Sequence, residues 1–265
     1  MSDNQNSISE LINKNYSDVG VAIIQRLYGE GYLSPGGKHA TERLARLAAP
    51  TKDTRILDVG CGVGGAAVWL AAEVGCSVTG LDLVLSNIET ARATAALHGV
   101  DHLARFEEGD AAAMPFAAHA FSMIWGQDAW CHVPDRDALF AECARVLEPG
   151  GAIAFSDWLL TGEEDDFYRH YLLPATACPG YETLTGYTTL LERHGFVDIE
   201  TEDLSADYAR HYVEAMERLE DARDWITETY GPRVFAIVLE RNGYASTAFE
   251  NRQIGGGQFR ARKPQ

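Results

Sequence analysis

Four glycines, at positions 60, 62, 64 and 65, separate the apolar run "RILDV" from a segment that resumes with helical spacing at Ala66. Without a Cβ, such a turn either packs tightly or lets backbone N–H groups and a helix N-terminus come against a ligand. Gly60, Gly62 and Gly65 match the G-x-G-x-x-G spacing of nucleotide-binding turns. Two carboxylates extend the pattern. Asp82 ends the next apolar run, "SVTGLD", where its two oxygens can accept both hydroxyls of a ribose. Asp110, in "EGDAAAMPF", follows a third run and is placed to accept from an adenine amino group. The chemistry indicated is adenosine binding, and the turn alone does not separate a nicotinamide dinucleotide from other adenosine ligands.

These residues need a parallel sheet to hold them. From Arg55 onward, short apolar runs ("RILDV", "SVTGLD", "ARFEE", "FSMIW", "GAIAFS") alternate with helical stretches beginning near residues 64, 86 and 135. That is a βαβ series, which requires a sheet covered on both faces. Residues 7–49 read as two or three helices broken at "GEGYLSPGG". After Asp157 the pattern predicts helices over 164–175 and 184–194, a strand at "FVDIETED", a polar helical stretch over 205–250 and a last strand at "GGGQFRARK". The N-terminal helices and the late helical stretch have no place inside a doubly wound sheet, so both are expected over its carboxyl edge, where ligands bind in such folds.

Composition narrows the class. The chain has 265 residues, 46% of them apolar, enough for one α/β domain with appended helices. With 39 acidic and 22 basic side chains the formal charge is -17, so nucleic acid and anionic membrane are not expected partners. No segment reaches the roughly 20 apolar residues of a membrane span, and the first residues lack the pattern of a signal peptide, so a cytoplasmic location is expected. The five cysteines, at 61, 76, 131, 143 and 178, form no CxxC and no metal-like spacing; they read as reduced, packed thiols, with no metal.

Taken with "LEPGGAIAFSD", which leads a Pro-Gly-Gly turn into a strand, the ordered motifs over about residues 55 to 157 resemble the class I S-adenosylmethionine-dependent methyltransferases. The resemblance implies a Rossmann-like fold with a mostly parallel seven-stranded sheet and helices on both faces. It also implies S-adenosyl-L-methionine as cofactor. It places Asp58, Gly60, Gly62 and Gly64 at the methionine half of the cofactor, Asp82 at the ribose, and Asp110 with Ala111 at the adenine; Ser34, Leu83 and Gln127 are also assigned to the cofactor. Asp128, in "SMIWGQD", is a candidate counter-charge to the sulfonium. The implied organisation is an N-terminal helical lid (1–49), a cofactor-binding core (50–204), a helical insertion (205–251) serving as second lid or as subunit contact of a homodimer, and a final core strand (252–265).

A looser resemblance covers nearly the whole chain. "NKNYSDVGV…LYGEGYLSPGG" with "IWGQDAWCHV" resembles the phosphoethanolamine N-methyltransferases, and the sarcosine and dimethylglycine methyltransferases share a similar "WSQD…H" pattern. It implies a lid tyrosine paired with a histidine, here Tyr16 and His132, closing the site and handling a proton; imidazole suits that task near pH 7. Asp128, Trp158 and Tyr171 fall at the substrate side, and an aromatic face such as Trp158 contributes ~0.5 to 2 kcal/mol to holding an ammonium or sulfonium. The phosphate-binding cations of that group are missing from "LLPATACPGY" and "GYASTAF". A phosphate monoester needs such partners, so the expected acceptor is a small polar amine or amino acid without phosphate, a carboxylate being met by Arg233, Arg241 or Arg252. S-methylation of a thioether, O-methylation of a small acid, cofactor binding without transfer and a nicotinamide-dependent oxidoreductase stay open as alternatives.

Overall fold

The computed structural model describes residues 3–265, with side chains from Glu10 onward and at Ile8. Alternation of side chains along the expected runs decides the architecture. In β1 (Arg55–Val59) Ile56 points to one face and Leu57 and Val59 to the other; β4 (Phe121–Gln127) divides Met123 and Trp125 from Ile124 in the same way. Strands buried on both faces read as continuous apolar runs. One face is covered by α3 (Gly37–Ala48), α4 (Gly65–Trp69) and α5 (Leu85–Leu97), through Leu44, Ala67 and Ile88. The other is covered by α6 (Arg136–Val146) and α8 (Leu184–Arg193), through Leu139, Phe140, Tyr187 and Leu191.

With β2 (Ser77–Asp82), β3 (Ala104–Glu108), β5 (Leu147–Leu160), β6 (Val197–Asp203) and β7 (Ile254–Arg262), the sheet has seven strands in the order β3-β2-β1-β4-β5-β7-β6. All neighbours are parallel except β7, which runs antiparallel to both β5 and β6. The doubly wound fold expected from the sequence is therefore present. β5 is longer than expected: it begins at Leu147, opposite Phe121, and the Pro149-Gly150-Gly151 turn shifts the register so that Ala152 faces Met123. Gly150 takes φ 78 there, a left-handed conformation suited to glycine.

The helices outside the alternating core stand over the carboxyl edge of the sheet. α1 (Asp3–Asn15) and α2 (Asp18–Tyr28) meet at a corner capped by Ser17, whose side chain accepts from the Gly20 N–H. The helix expected over 164–175 is present over 166–176 and contains a π-helical turn (Tyr168–Leu172) before its last part, α7 (Leu173–Thr176), which carries Pro174; Ala177 ends it in a left-handed conformation. The polar stretch forms α9 (Ser205–Asp221), α10 (Arg223–Tyr230) and α11 (Pro232–Glu250). α9 packs Leu219 and Ala215 on Ile23 and Leu27 of α2, joining the two appended parts across the sheet edge. Among the described residues, no helix is long and apolar enough to cross a membrane.

The centre of the second face is an aromatic stack. Phe155 of β5 lies between Trp130, at 4.3 Å between ring centroids, and Phe259 of β7, at 4.6 Å, with Phe140 and Tyr187 edge-on. Phe155→Ala is expected to destabilise the fold by about 3–5 kcal/mol, measured as a lowered midpoint of chemical unfolding; a loss under about 1 kcal/mol would show that this stack is not the centre of the core.

Candidate active site

The glycine turn is held open from below. Gly60 and Cys61 both donate their N–H to the Leu81 carbonyl, at 2.8 and 3.0 Å, fastening the end of β1 to the end of β2. Gly60 and Gly62 have φ of 79 and 52. A Cβ on Gly60 would fall 2.3 Å from the Ala129 methyl, and one on Gly65 would fall 2.1 Å from the Gly31 carbonyl oxygen. Asp82 is fixed by three donors, the Gly62 N–H at 2.8 Å, the Val84 N–H at 2.9 Å and the Asn87 amide at 3.3 Å. A carboxylate so held keeps lone pairs in a set direction for a ligand's hydroxyls.

Above the turn lies a cavity of about 270 Å³. It is lined by Asp58, Gly60, Gly62, Asp82, Leu83, Asp110, Ala111 and Gln127 from the strand ends, and by Tyr16 and Ser34 from the N-terminal part. Gln127 is anchored there: its Oε1 accepts from the Thr41 hydroxyl at 2.9 Å and from the Trp125 indole at 3.1 Å. One expected residue is displaced. Gly64 does not line the cavity; its α-carbon faces inward, where a Cβ would meet Ala91 at 2.9 Å and the Phe106 ring at 3.0 Å, so this glycine serves helix–sheet packing and Gly65 takes the lining position. Sequence reasoning missed Tyr32, Leu33 and Asn87, and also Ile8 and Ile12 of α1, which roof the cavity. The two isoleucines, spaced i and i+4 on one helix face, were the available signal.

A second cavity, of about 340 Å³, opens on the far side. Its walls are mostly apolar: Val19, Ile23, Ile24 and Leu27 from α2, Val234, Ile237 and Val238 from α11, and the rings of Tyr28, Trp158, Tyr181 and Tyr212. The two cavities share Tyr16, Leu33, Ser34, Asp128 and His132. Of the expected cations only Arg241 lines this second space; Arg233 and Arg252 do not. Arg241 donates to the Ala175 carbonyl at 2.6 Å and to the Asn15 side chain, tying α11 to α7 and to the end of α1. Tyr171 also departs from expectation. It lies within the π-helical turn, is 52% exposed, stacks on Phe167, packs at a tilt against Tyr244 and lines neither cavity.

At the shared wall the Tyr16 hydroxyl stands 2.9 Å from His132 Nε2. The other ring nitrogen, Nδ1, donates to the Ala177 carbonyl at 3.1 Å. Burial opposes a charged imidazole, but Cys178, the Ala177 carbonyl and Asp157 outweigh it and raise the His132 pKa to about 9. Desolvation raises the Tyr16 phenol well above its ordinary range.

Three carboxylates are buried along the strand ends. Burial, with Asp82 nearby, pushes Asp58 up to about 7; burial, with Asp157 nearby, pushes Asp128 up to about 7; burial pushes Asp157 up to about 6, opposed by its hydrogen bond from Tyr187 and by Arg136. Their compensation differs. Asp157 accepts from the Tyr187 hydroxyl and the Trp158 N–H. Asp128 accepts from the Tyr208 hydroxyl on one oxygen and has the Ser34 side chain near enough to lower its pKa, while no donor meets the buried Oδ2 in hydrogen-bond geometry. Asp58 Oδ2 is likewise buried and unpartnered. Unpaired buried acceptors are costly, and here both belong to residues lining the ligand cavities.

Comparison with known proteins agrees with this arrangement. Residues 57–155 match the family model described as a methyltransferase domain. The chain is 30% identical over 268 residues to the 27-O-demethylrifamycin SV methyltransferase of Amycolatopsis mediterranei, covering 96% of this chain and 97% of that one. It is 32% identical over 209 residues to the glycine/sarcosine/dimethylglycine N-methyltransferase of Actinopolyspora halophila, covering 77% of this chain but 36% of the relative. The chain spans less than two thirds of the length of several curated relatives it matches. Among solved structures, phosphoethanolamine N-methyltransferase 2 of Haemonchus contortus, in complex with phosphomonomethylethanolamine and S-adenosylhomocysteine, superposes with a TM-score of 0.89 at 23% identity, covering 97% of this chain and 60% of that one. With its glycine turn, its ordered acidic strand ends and a relative matched from end to end, the chain belongs to the class I S-adenosylmethionine-dependent methyltransferase family.

Proposed function

We propose that this chain moves a methyl group from S-adenosylmethionine to the nitrogen of a small amine whose body is largely apolar. The observation that carries the reading is Asp128 Oδ2, a buried carboxylate oxygen without a donor, at the wall common to both cavities. An amine N–H supplies the missing hydrogen bond there. The pKa of this carboxyl, about 7, suits it to take the proton that the nitrogen must lose.

The donor's fit is argued from the first cavity. Asp58 would take the ammonium of the methionine half, Asp82 the ribose hydroxyls, and Asp110 with Ala111 the adenine; Ser34, Leu83 and Gln127 complete the lining. The unpartnered Asp58 Oδ2 favours a cationic group in that place. Bound there, the sulfonium supplies an electrophilic methyl group. The protein's part is to hold nucleophile, carbon and sulfur in line and to exclude water. Tyr16 and His132 close the roof. His132 can donate at Nε2 or, after losing one proton, accept there from Tyr16 without rotating its ring, which is what a proton relay requires.

The second cavity bears on the acceptor. Its cations are an exposed Lys14, Arg241, which already donates to Ala175 and Asn15, and His132, whose two ring nitrogens are engaged by Tyr16 and the Ala177 carbonyl. A dianionic phosphate would find little charge-assisted support, which favours an acceptor without phosphate. The apolar walls favour an aliphatic or aromatic body over the compact polar amine expected from sequence. They also support a second reading, methylation of a hydroxyl on an apolar molecule, the chemistry that the name of the 27-O-demethylrifamycin SV relative describes. A thioether offers no N–H or O–H to Asp128 and has the least support.

Two measurements test the reading. Incubation with labelled donor and a panel of apolar amines, apolar alcohols, phosphorylated amines and thioethers is expected to label the amines. With the preferred acceptor, His132→Ala and Tyr16→Phe each lower kcat by about 10²-fold or more, and unchanged turnover in both would remove the pair from the mechanism. For Asp58 the sign follows from its raised pKa. The folded state holds a proton that the unfolded chain has lost between about pH 4 and 7, so this residue's contribution to stability falls as pH rises through that window. Asp58→Asn is therefore expected to stabilise the ligand-free protein at pH 8, on the order of 4 kcal/mol, with little effect at pH 4. The same variant should bind S-adenosylhomocysteine at least about tenfold more weakly. Unaltered affinity by calorimetry would take Asp58 out of the donor site.

A further inference from the structure

The cysteines carry no metal-binding spacing in the sequence, yet the fold brings two of them to His132. Cys131 and His132 are consecutive in the 3-10 turn Trp130–His132 after β4. Cys178 follows α7, where Ala177 at φ 54 turns the chain back toward that turn. The two sulfurs and a ring nitrogen of His132 all lie within 4.8 Å of one another, and Cys178 Sγ is 3.6 Å from His132 Nδ1. With Zn–S near 2.3 Å and Zn–N near 2.0–2.1 Å, ideal tetrahedral ligands stand about 3.6 Å apart for sulfur and nitrogen and about 3.8 Å apart for two sulfurs. Cys178 and His132 thus stand at the sulfur–nitrogen separation such an ion requires, and Cys131 lies within 4.8 Å of both.

Other observations agree. Both thiols are free, and their contacts with carbonyl oxygens are long: Cys131 Sγ is 3.9 Å from Asp128 O and Cys178 Sγ is 3.7 Å from Thr176 O. All three residues line the second cavity, which gives an ion a way in. Two sulfurs and an imidazole, without a carboxylate, select a soft or borderline ion over magnesium or calcium.

We infer that Cys131, Cys178 and His132 form a site for a thiophilic divalent ion of the zinc class, and that filling it switches methyl transfer off. Binding breaks two S–H bonds and the Nδ1–H bond of the protonated His132 ring, forms two metal–sulfur bonds and one metal–nitrogen bond, and releases three protons to solvent, with no change of oxidation state. His132 must turn its Nδ1 lone pair to the ion, giving up the bond to the Ala177 carbonyl. The ring proton then resides on Nε2, facing Tyr16, and the ring loses its capacity to accept there. The inhibition rests on the proposed role of His132, whereas the binding does not.

The test uses the full chain, freed of metal, and Co²⁺ as a spectroscopic probe. One equivalent of Co²⁺ is expected to produce a sulfur-to-cobalt charge-transfer band and the intense visible bands of tetrahedral cobalt, both lost on adding Zn²⁺. Cys131→Ser and Cys178→Ser should each weaken binding about tenfold or more, and the double variant should abolish the bands. Because those variants can misfold, alkylation of the wild-type chain read by mass spectrometry gives a second measure: Zn²⁺ should protect Cys131 and Cys178 and leave Cys61 labelled to the same extent. Absence of the bands, or bands that survive in a folded double variant, overturns the site. Methyl transfer that persists with one Zn²⁺ bound overturns the switch. If no acceptor is ever found, the cobalt spectrum still decides whether the site exists.

Discussion

Buried negative charge is what the rest of this structure is arranged around. Asp58, Asp128 and Asp157 stand at the carboxyl ends of three neighbouring strands, β1, β4 and β5, and are 2%, 7% and 0% exposed. Removing a carboxylate from water is costly unless donors replace the lost hydration. The protein compensates them unequally. Asp157 has a tyrosine hydroxyl and a backbone amide, and Asp128 has a tyrosine hydroxyl on one oxygen. Asp58 has an oxygen with no donor. The order of decreasing compensation runs from the residue that holds the scaffold to those proposed to meet acceptor and donor, so the site keeps charge in reserve for cationic ligands.

The roof over that charge is assembled from distant parts of the chain. Tyr16 comes from the corner between α1 and α2, His132 from the turn after β4, and the carbonyl orienting His132 from the end of α7. Arg241 of α11 links two of these parts, since it donates both to Asn15, next to Tyr16, and to Ala175, two residues before the carbonyl that fixes His132. Arg136 secures the third by donating to the Cys131 and Gly180 carbonyls. The contact between Tyr16 and His132 therefore depends on packing among α1, α7 and α11, and a change in that packing reaches the proposed chemistry through two hydrogen-bonded guanidinium groups.

In the proposed reading the same division separates donor recognition from acceptor recognition. The first cavity is built largely from strand ends and the turns beside them, which belong to the central sheet. The second is walled by α2, α11 and the segment around α7, the elements appended to the sheet. A scaffold of this kind can keep its donor chemistry while the appended helices change the body of the acceptor. The relatives' names, which span glycine, phosphoethanolamine and rifamycin substrates, are in keeping with that division.

Much of this was legible in the linear chain. The short apolar runs "RILDV" and "FSMIW" specify strands buried on both faces, and the glycines at 60 and 62 specify a tight turn after the first of them, because both depend on near neighbours and on backbone stereochemistry. What the chain alone did not specify depends on which side chains meet across the fold. Gly64 reads as one more turn glycine until Ala91 and Phe106 are seen against it. Tyr171 reads as a site residue until it is found exposed on a π-helical turn, and Cys131 and Cys178, 47 positions apart in the numbering, read as unrelated thiols until α7 folds back over the turn after β4. Local sequence settles dihedral preferences and which face is apolar. Long-range packing alone decides the distances between groups on separate elements, and therefore which carboxylates lack a donor and which sulfurs share a nitrogen.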